Sequence, residues 1–327
     1  MTGGPPERPG AALASFSPAG LPPVPALFAA AGDRGAWRYV EFLTAEIRNP
    51  NTRAAYARAL GRFSDWCHAH RLRLDQLAPV HVAAYVEHLG RALAKPSVKQ
   101  HLAAIRMLGD YLVLGQVVPA NPAASVRGPK YVVRVGKTPV LTRAEARGLL
   151  EGIGGTRPAD LRDRALIGLM VYSFARVGAV LGMDRADYYQ QGKRWWVRLH
   201  EKGGKEHAVP CHHKAEEYLD AYLAGAGLAA ERAGPLFRRV TPGGALGGRL
   251  DRREALAMVK RRARASGLGA AVGCHTFRAT GITAYLENGG TIEAAQAIAA
   301  HESPRTTKLY DRTGDALTLE EVERIRL

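Results

Sequence analysis

The chain has 327 residues, with 46 Lys+Arg against 30 Asp+Glu and a formal net charge of +16. That length suggests about two domains at roughly 100–200 residues each, and 46% hydrophobic with 23% charged residues argue for packed cores and against wholesale disorder. No run approaches the roughly 18 apolar residues that span a bilayer, and an Arg-dominated excess with a sequence pI near 10.1 points to nucleic acid as partner.

Residues 1–33 are rich in Pro, Gly and Ala and lack the basic and apolar regions of a signal peptide. Such a segment buries too little apolar surface to offset its ordering entropy, so disorder is expected there. From 34 to 123 the apolar residues recur at helical spacing. Trp37, Val40, Leu43 and Ile47 share one face of a first helix, and Asn51-Thr52 signals the cap of a second carrying Tyr56, Leu60, Phe63 and Trp66. A third opens near Pro79 with Val82, Val86 and Leu89, and a fourth at Pro96-Ser97 with Leu102, Ile105, Leu108 and Leu112. Together they make a small all-helical domain. Its candidate DNA-facing cations are Arg53, Lys99 and Arg106, beside helix N-termini able to receive phosphate.

Residues 124–139 hold Pro129 and Pro139 with Arg127, Lys130, Arg134 and Lys137 and no helical period, which predicts an extended basic linker. A second domain, 140–327, begins at Thr142, whose Glu145 three residues on completes a capping box. A buried helix is predicted over 161–172, a break at Ser173-Phe174-Ala175, and a further apolar stretch from Val177 to Met183. Three short strands follow, around Asp187 to Tyr189, Trp195 to His200 and Glu206 to Val209, with turns at Gln191-Gly192 and Gly203-Gly204. Beyond Pro210 the pattern is mostly helical, with loops at 241–248 and 287–290. The three cysteines are widely spaced, which gives no disulfide framework and fits a reducing cytosol. Cys211-His212-His213 has no second ligand pair at a suitable spacing, so no metal is expected.

Four patterns in the second domain belong together. Arg176 follows the buried helix, and Lys202 sits on the turn of the hairpin in Glu201-Lys202-Gly203-Gly204-Lys205. His275 and Arg278 lie three apart, on one helical face, and His301 is followed nine residues later by Tyr310. In this order and spacing the residues resemble the tyrosine recombinase (phage-integrase) family, which carries an Arg after a helix, a Lys on a β-turn, a His-x-x-Arg box, then a His and a nucleophilic Tyr. The resemblance covers 142–327 and, more loosely, the helical half. It implies a mainly α fold with a small antiparallel β-sheet, in which an N-terminal SAM-like DNA-binding domain precedes a mixed α/β catalytic domain.

The resemblance also implies roles. Tyr310 attacks a DNA phosphodiester and stores the bond as a covalent 3′-phosphotyrosine. Arg176 and Arg278 clamp the charge of the transition state through always-charged forks. His275 is the candidate base for Tyr310, His301 a partner to the phosphate, and Lys202 the candidate general acid for the leaving 5′ oxygen. Lys205 is a further candidate DNA contact. No cofactor is implied. The implied partners are double-stranded DNA and further copies of the chain, as a homotetramer on paired sites in the cytoplasm, with no membrane. Type IB topoisomerase-like strand relaxation shares this chemistry, and a catalytically silent DNA-binding protein shares the fold.

Three positions depart from the family pattern. Ala179 stands where many members carry an acid that helps orient the His, leaving Asp184 or Asp163 as candidate substitutes. The Thr-Gly-Leu-Arg turn reads Ser173-Phe174-Ala175-Arg176, without its glycine, and Ala279 follows the second Arg where His is frequent. The tail, Thr318 to Leu327, reads as a short amphipathic helix with a Thr318–Glu321 capping box. In family members such a tail docks on a neighbouring subunit.

Overall fold

The computed structural model describes residues 23–132, 136–201 and 204–311, which fall into two units, Met1–Val132 and Val133–Leu327. Lys202 and the expected tail helix at 318–327 lie outside the described residues.

The first unit is all helical. Order begins earlier than composition suggests, with α1 (Ala26–Ala29) and α2 (Gly32–Glu41) both starting inside the segment expected to be disordered. Leu27 and Phe28 are buried, the Leu27 amide donates to Ser64 Oγ at 3.0 Å, and the Phe28 ring stacks on Tyr39 at 5.0 Å. That local burial outweighs the entropy of ordering a short stretch. Leu43 and Ile47 of the expected face are buried and Val40 packs against the core, but Tyr39 and Phe42 are buried with them while Trp37 stays 42% exposed, and a π-helical turn at Phe42–Glu46 ends the helix.

Helix α3 (Pro50–Ala69) has its cap at Asn49, two residues before the expected one. Asn49 accepts the amides of Asn51 and Thr52 at 2.9 and 3.2 Å, and Pro50 occupies the first helical position, where its missing N–H costs nothing. Helices α4 (Pro79–Ala92) and α5 (Lys95–Leu114) open where their prolines predict. Leu60 and Phe63 of α3 share one core with Leu102, Ile105, Leu108 and Leu112 of α5, as their spacing requires.

Two candidate DNA-facing arginines spend their guanidiniums inside this unit. Arg53 donates from Nε and Nη2 to the carbonyl of Ile47, at 3.1 and 3.0 Å. Arg106 donates to the carbonyls of Ala123 and Val126, at 3.3 and 2.7 Å. Arg106 therefore fastens the first residues of the expected linker onto α5, and Val126 is buried rather than tethering freely. Lys99 stays exposed, and with Arg127 and Lys130 it lines a shallow surface beside that fastened strand.

In the second unit, Thr142 and Glu145 close the expected capping box at the head of α6 (Arg143–Gly152). Helix α7 (Pro158–Tyr172) is buried on nearly every side and packs against α9 (His213–Gly225) and α11 (Cys274–Glu287). Short α8 (Val177–Gly182) packs on β2 (Arg194–His200), the middle strand between β1 (Tyr188–Gln191) and β3 (Glu206–Pro210). All three strands are antiparallel. Register pairs Val197 with Tyr188 and with Val209, placing these buried side chains on the core face.

A second hairpin, β4 (Arg238–Val240) with β5 (Leu246–Arg249), brackets the expected 241–248 loop: residues 241–245 form its turn, while β5 takes up the end of that stretch. Its strands are short and rich in Arg and Gly, so they carry no apolar alternation to signal them. Helices α10 (Arg252–Ala265), α12 (Ile292–Ile298) and α13 (Pro304–Lys308) complete the described unit.

Helix α7 is also held by buried charge. Asp163 is fully buried and accepts from Arg162 at 2.6 Å and Arg262 at 2.8 Å, while Asp160 accepts from Arg262 at 2.6 Å. Neutralising Asp163 leaves the buried Arg162 without its carboxylate partner, while Arg262 keeps Asp160. Asp163→Asn is therefore expected to cost about 3–5 kcal/mol of unfolding free energy. Urea titration measures this, and a loss below about 1 kcal/mol would contradict the assignment.

Candidate active site

The site grows from the first turn of α11. Gly273 precedes it in an extended conformation, its amide donating to Thr276 Oγ1 at 3.1 Å. His275 then sits in the first turn and Arg278 one turn on, so both project to the same side. Arg278 is only 1% exposed. Its Nη1 donates to the carbonyl of Phe174 and its Nη2 to that of Ala299, the latter at 2.7 Å. Two backbone acceptors thus replace the water that this guanidinium loses. Its Nε–H is buried without an acceptor.

The Phe174 carbonyl is aimed by an unusual backbone. Phe174 takes φ +54°, the left-handed conformation that a glycine would adopt freely and that costs a non-glycine residue roughly 1–2 kcal/mol. The turn is thus left-handed at the position where the Thr-Gly-Leu-Arg pattern has its glycine. The Phe174 ring offsets the strain by packing with Ile282, Leu286 and Tyr310, edge-on to Tyr285 at 5.9 Å. Gly281 makes room for it, since a Cβ there would lie 2.0 Å from the Val171 carbonyl and 2.8 Å from the Phe174 ring.

Tyr310 reaches the same pocket from the end of the described chain. Its amide donates to the Thr307 carbonyl at 2.9 Å and its own carbonyl accepts from Thr283 Oγ1 at 3.0 Å. The hydroxyl lies 2.8 Å from His275 Nε2, a geometry in which the phenol donates to an imidazole protonated at Nδ1. The His301 ring lies parallel to Tyr310 at 5.8 Å and is held by Thr307 Oγ1, 2.9 Å from Nδ1.

Charge in this pocket is unevenly shared. Burial and then the Arg176 charge pull Arg278 down to about 10. Burial, then Arg278, then Arg176 lower His275 below its usual range, and the same causes with His275 added push His301 down to about 3. Both guanidinium charges thus bear on one pair of histidines and favour the neutral imidazoles.

Arg176, at the N-cap of α8, donates from Nη1 to Glu201 Oε2. Glu201 was not among the expected site residues. Its sequence signal is an acid beside the hairpin lysine, easily read as a turn charge. Neither suggested substitute for an acid at Ala179 comes to the site, because Asp163 is held in the buried ion cluster and Asp184 pairs with Arg249. Lys205 is exposed at the foot of β3, its carbonyl accepting from the Glu201 amide at 2.8 Å. His212 caps α9 and stacks on Tyr172 at 4.3 Å. Among the described residues no group of three or more His, Cys, Asp or Glu side chains is placed to hold a metal ion, and no helix is long and apolar enough to cross a membrane.

Residues 139–316 match the model of the phage integrase family, and residues 37–116 match its N-terminal SAM-like domain. Tyrosine recombinase XerD of Mycobacterium leprae (strain TN) is 33% identical over 291 residues, covering 83% of this chain and 90% of that relative. Two solved structures share the fold. One is the XerH site-specific recombinase in a post-cleavage complex with palindromic difH substrate (TM-score 0.67, 21% identity, 84% of this chain and 79% of that one). The other is a lambda integrase tetramer bound to a Holliday junction (TM-score 0.64, 18% identity, 86% and 78%). A basic chain that joins a SAM-like helical domain to a pocket of paired arginines, histidines and a tyrosine is a DNA-strand transferase of the tyrosine type. The chain belongs to the phage integrase family of tyrosine recombinases, and it is a site-specific DNA recombinase.

The two depressed histidines set a pH dependence. Between the ordinary value of 6.5 and the lowered folded values, the unfolded chain binds protons that the folded chain does not. Stability from this source is complete above pH 6.5 and is lost as pH falls below it. His275 likewise stays able to accept a proton below pH 6.5. With His275 as the candidate base, the acid limb of kcat/KM for DNA cleavage is expected below that pH, and a limb centred above it would contradict the burial assigned to His275.

Phe174→Gly is expected to relieve the backbone strain yet empty a buried aromatic site. Losing the ring costs roughly 3–5 kcal/mol and the relaxation returns about 1–2, so a net loss near 2–3 kcal/mol is expected. Calorimetric melting that showed equal or greater stability would refute this balance.

Proposed function

We propose that Tyr310 is the nucleophile of this recombinase and that His275 takes its proton. A bond forms between Tyr310 Oη and the phosphorus of a DNA phosphodiester, and the bond from phosphorus to the 5′ oxygen breaks. That oxygen takes a proton from Lys202, a role carried by the family resemblance alone. Arg176 and Arg278 hold the non-bridging oxygens, and the buried Nε–H of Arg278 supplies a donor already desolvated for one of them. His301, kept neutral and held through Thr307, gives a second hydrogen bond to phosphate. Rejoining runs the same steps backward on another strand end, so bond energy is kept in the phosphotyrosine and no cofactor is needed.

The observation that carries this reading is the 2.8 Å approach of the Tyr310 hydroxyl to a neutral His275, beside two arginines. In the SAM-like unit, Lys99, Arg127 and Lys130 are the proposed phosphate contacts, with Lys205 adding one from the catalytic unit. Exchange between paired sites calls for four active copies, and a lambda integrase of this fold is a tetramer on a Holliday junction. A homotetramer on DNA, working in the cytoplasm, is the proposed assembly.

The test uses DNA fragments selected by binding to the full chain and then nicked near the site, so that the 5′ product diffuses away. The active chain is expected to accumulate a covalent protein–DNA adduct, and Tyr310→Phe to bind the same DNA with no adduct. Adduct formation by Tyr310→Phe at the rate of the unaltered chain would remove Tyr310 from this role.

A further inference from the structure

We propose that Glu201 is a positioning residue of this active site, a buried counter-ion that fixes the guanidinium of Arg176 for the scissile phosphate. Arg176 is long, its side chain 39% exposed, and held at its root only by the cap of α8. Left alone, such a side chain samples many rotamers, at a cost of up to about 2 kcal/mol to fix. Glu201 has the opposite character. Its side chain is 4% exposed, and its backbone is set by the end of β2, where the Glu201 amide donates to the Lys205 carbonyl at 2.8 Å. The His200–Glu206 pairing of the sheet lies next to it. The carboxylate is thus a fixed post, and it takes only Nη1 of the arginine fork. Nε and Nη2 remain for an anion.

Charge supports the same assignment. Glu201 also acts on Arg278, partly offsetting the repulsion that Arg278 feels from Arg176. Asp163 and Asp184 are engaged elsewhere, and Ala179 carries no polar atom, so among the described residues Glu201 is the carboxylate that reaches Arg176. The arrangement separates binding from rate. A carboxylate in the pocket weakens attraction for the ground-state phosphate, while the orientation it gives Arg176 serves the transition state.

The inference rests on the covalent-cleavage reading, and one assay separates the two. The full chain, Glu201→Gln and Glu201→Asp are compared on the nicked DNA for adduct rate at saturating protein, for DNA Kd and for melting temperature. Glu201→Gln is expected to slow the adduct step by about 10–100-fold. Its Kd is expected to be unchanged or several-fold tighter, with melting within a few degrees of the unaltered chain. Glu201→Asp keeps the charge and is expected to recover part of the rate. Absence of adduct from the unaltered chain would overturn the covalent reading itself. With adduct present, an unslowed Glu201→Gln would overturn the positioning role. So would parallel losses of rate, affinity and melting temperature in both variants, because they mark a residue that only holds the fold.

Discussion

A buried guanidinium is the constraint around which the catalytic unit is arranged. Arg278 has almost no solvent, so its positive charge must be met by the protein, and two backbone carbonyls meet it, one at each terminal nitrogen. The Phe174 carbonyl arrives by a left-handed turn at the end of α7, and that of Ala299 lies at the end of α12, just before Ala300, which also has positive φ. The close crossing of α7 and α11 at Gly281 brings the turn within reach. Packing and chemistry are one problem here, because the core around Phe174 and Tyr310 holds both the strained turn and the tyrosine proposed as nucleophile.

From that buried charge the protonation state of the site follows. A cation that cannot be screened by water lowers the basicity of its neighbours, and His275 and His301 are its neighbours. Both imidazoles are therefore neutral before DNA arrives. In the proposed mechanism, a phosphate entering between the arginines brings negative charge and offsets the effect that kept the histidines weak bases. Basicity then rises where the proposed nucleophile, Tyr310, gives up its proton. Glu201 tempers the same field from the side of Arg176, which keeps two like-charged forks at one place.

Much of this was legible in the sequence, and the reason is local. The His275 to Arg278 spacing is a helix turn, the 142–145 capping box is a four-residue motif, and the three strands alternate around Gly turns, so each is written in a few adjacent residues. The prolines at 79 and 96 likewise marked their helices. What was not legible depends on distant partners. Arg53 and Arg106 look like surface cations until the carbonyls of Ile47 and Val126 come beside them. Leu27 and Phe28 are two apolar residues in a Pro-rich lead-in until Tyr39 and Ser64 cover them. The left-handed Phe174 and the carboxylate of Glu201 are tertiary facts of the same kind. The β4–β5 hairpin lacked any periodic pattern to read.

The most direct measurement is a crystal structure of the full chain on an uncleaved DNA site. Arg278 is expected to keep both carbonyl bonds while its Nε–H and the free edge of Arg176 donate to non-bridging oxygens of one phosphate. Tyr310 Oη is expected opposite the departing 5′ oxygen. A phosphate bound by only one of the two arginines, or an Arg278 swung out of its carbonyl cradle to reach the DNA, would contradict the account.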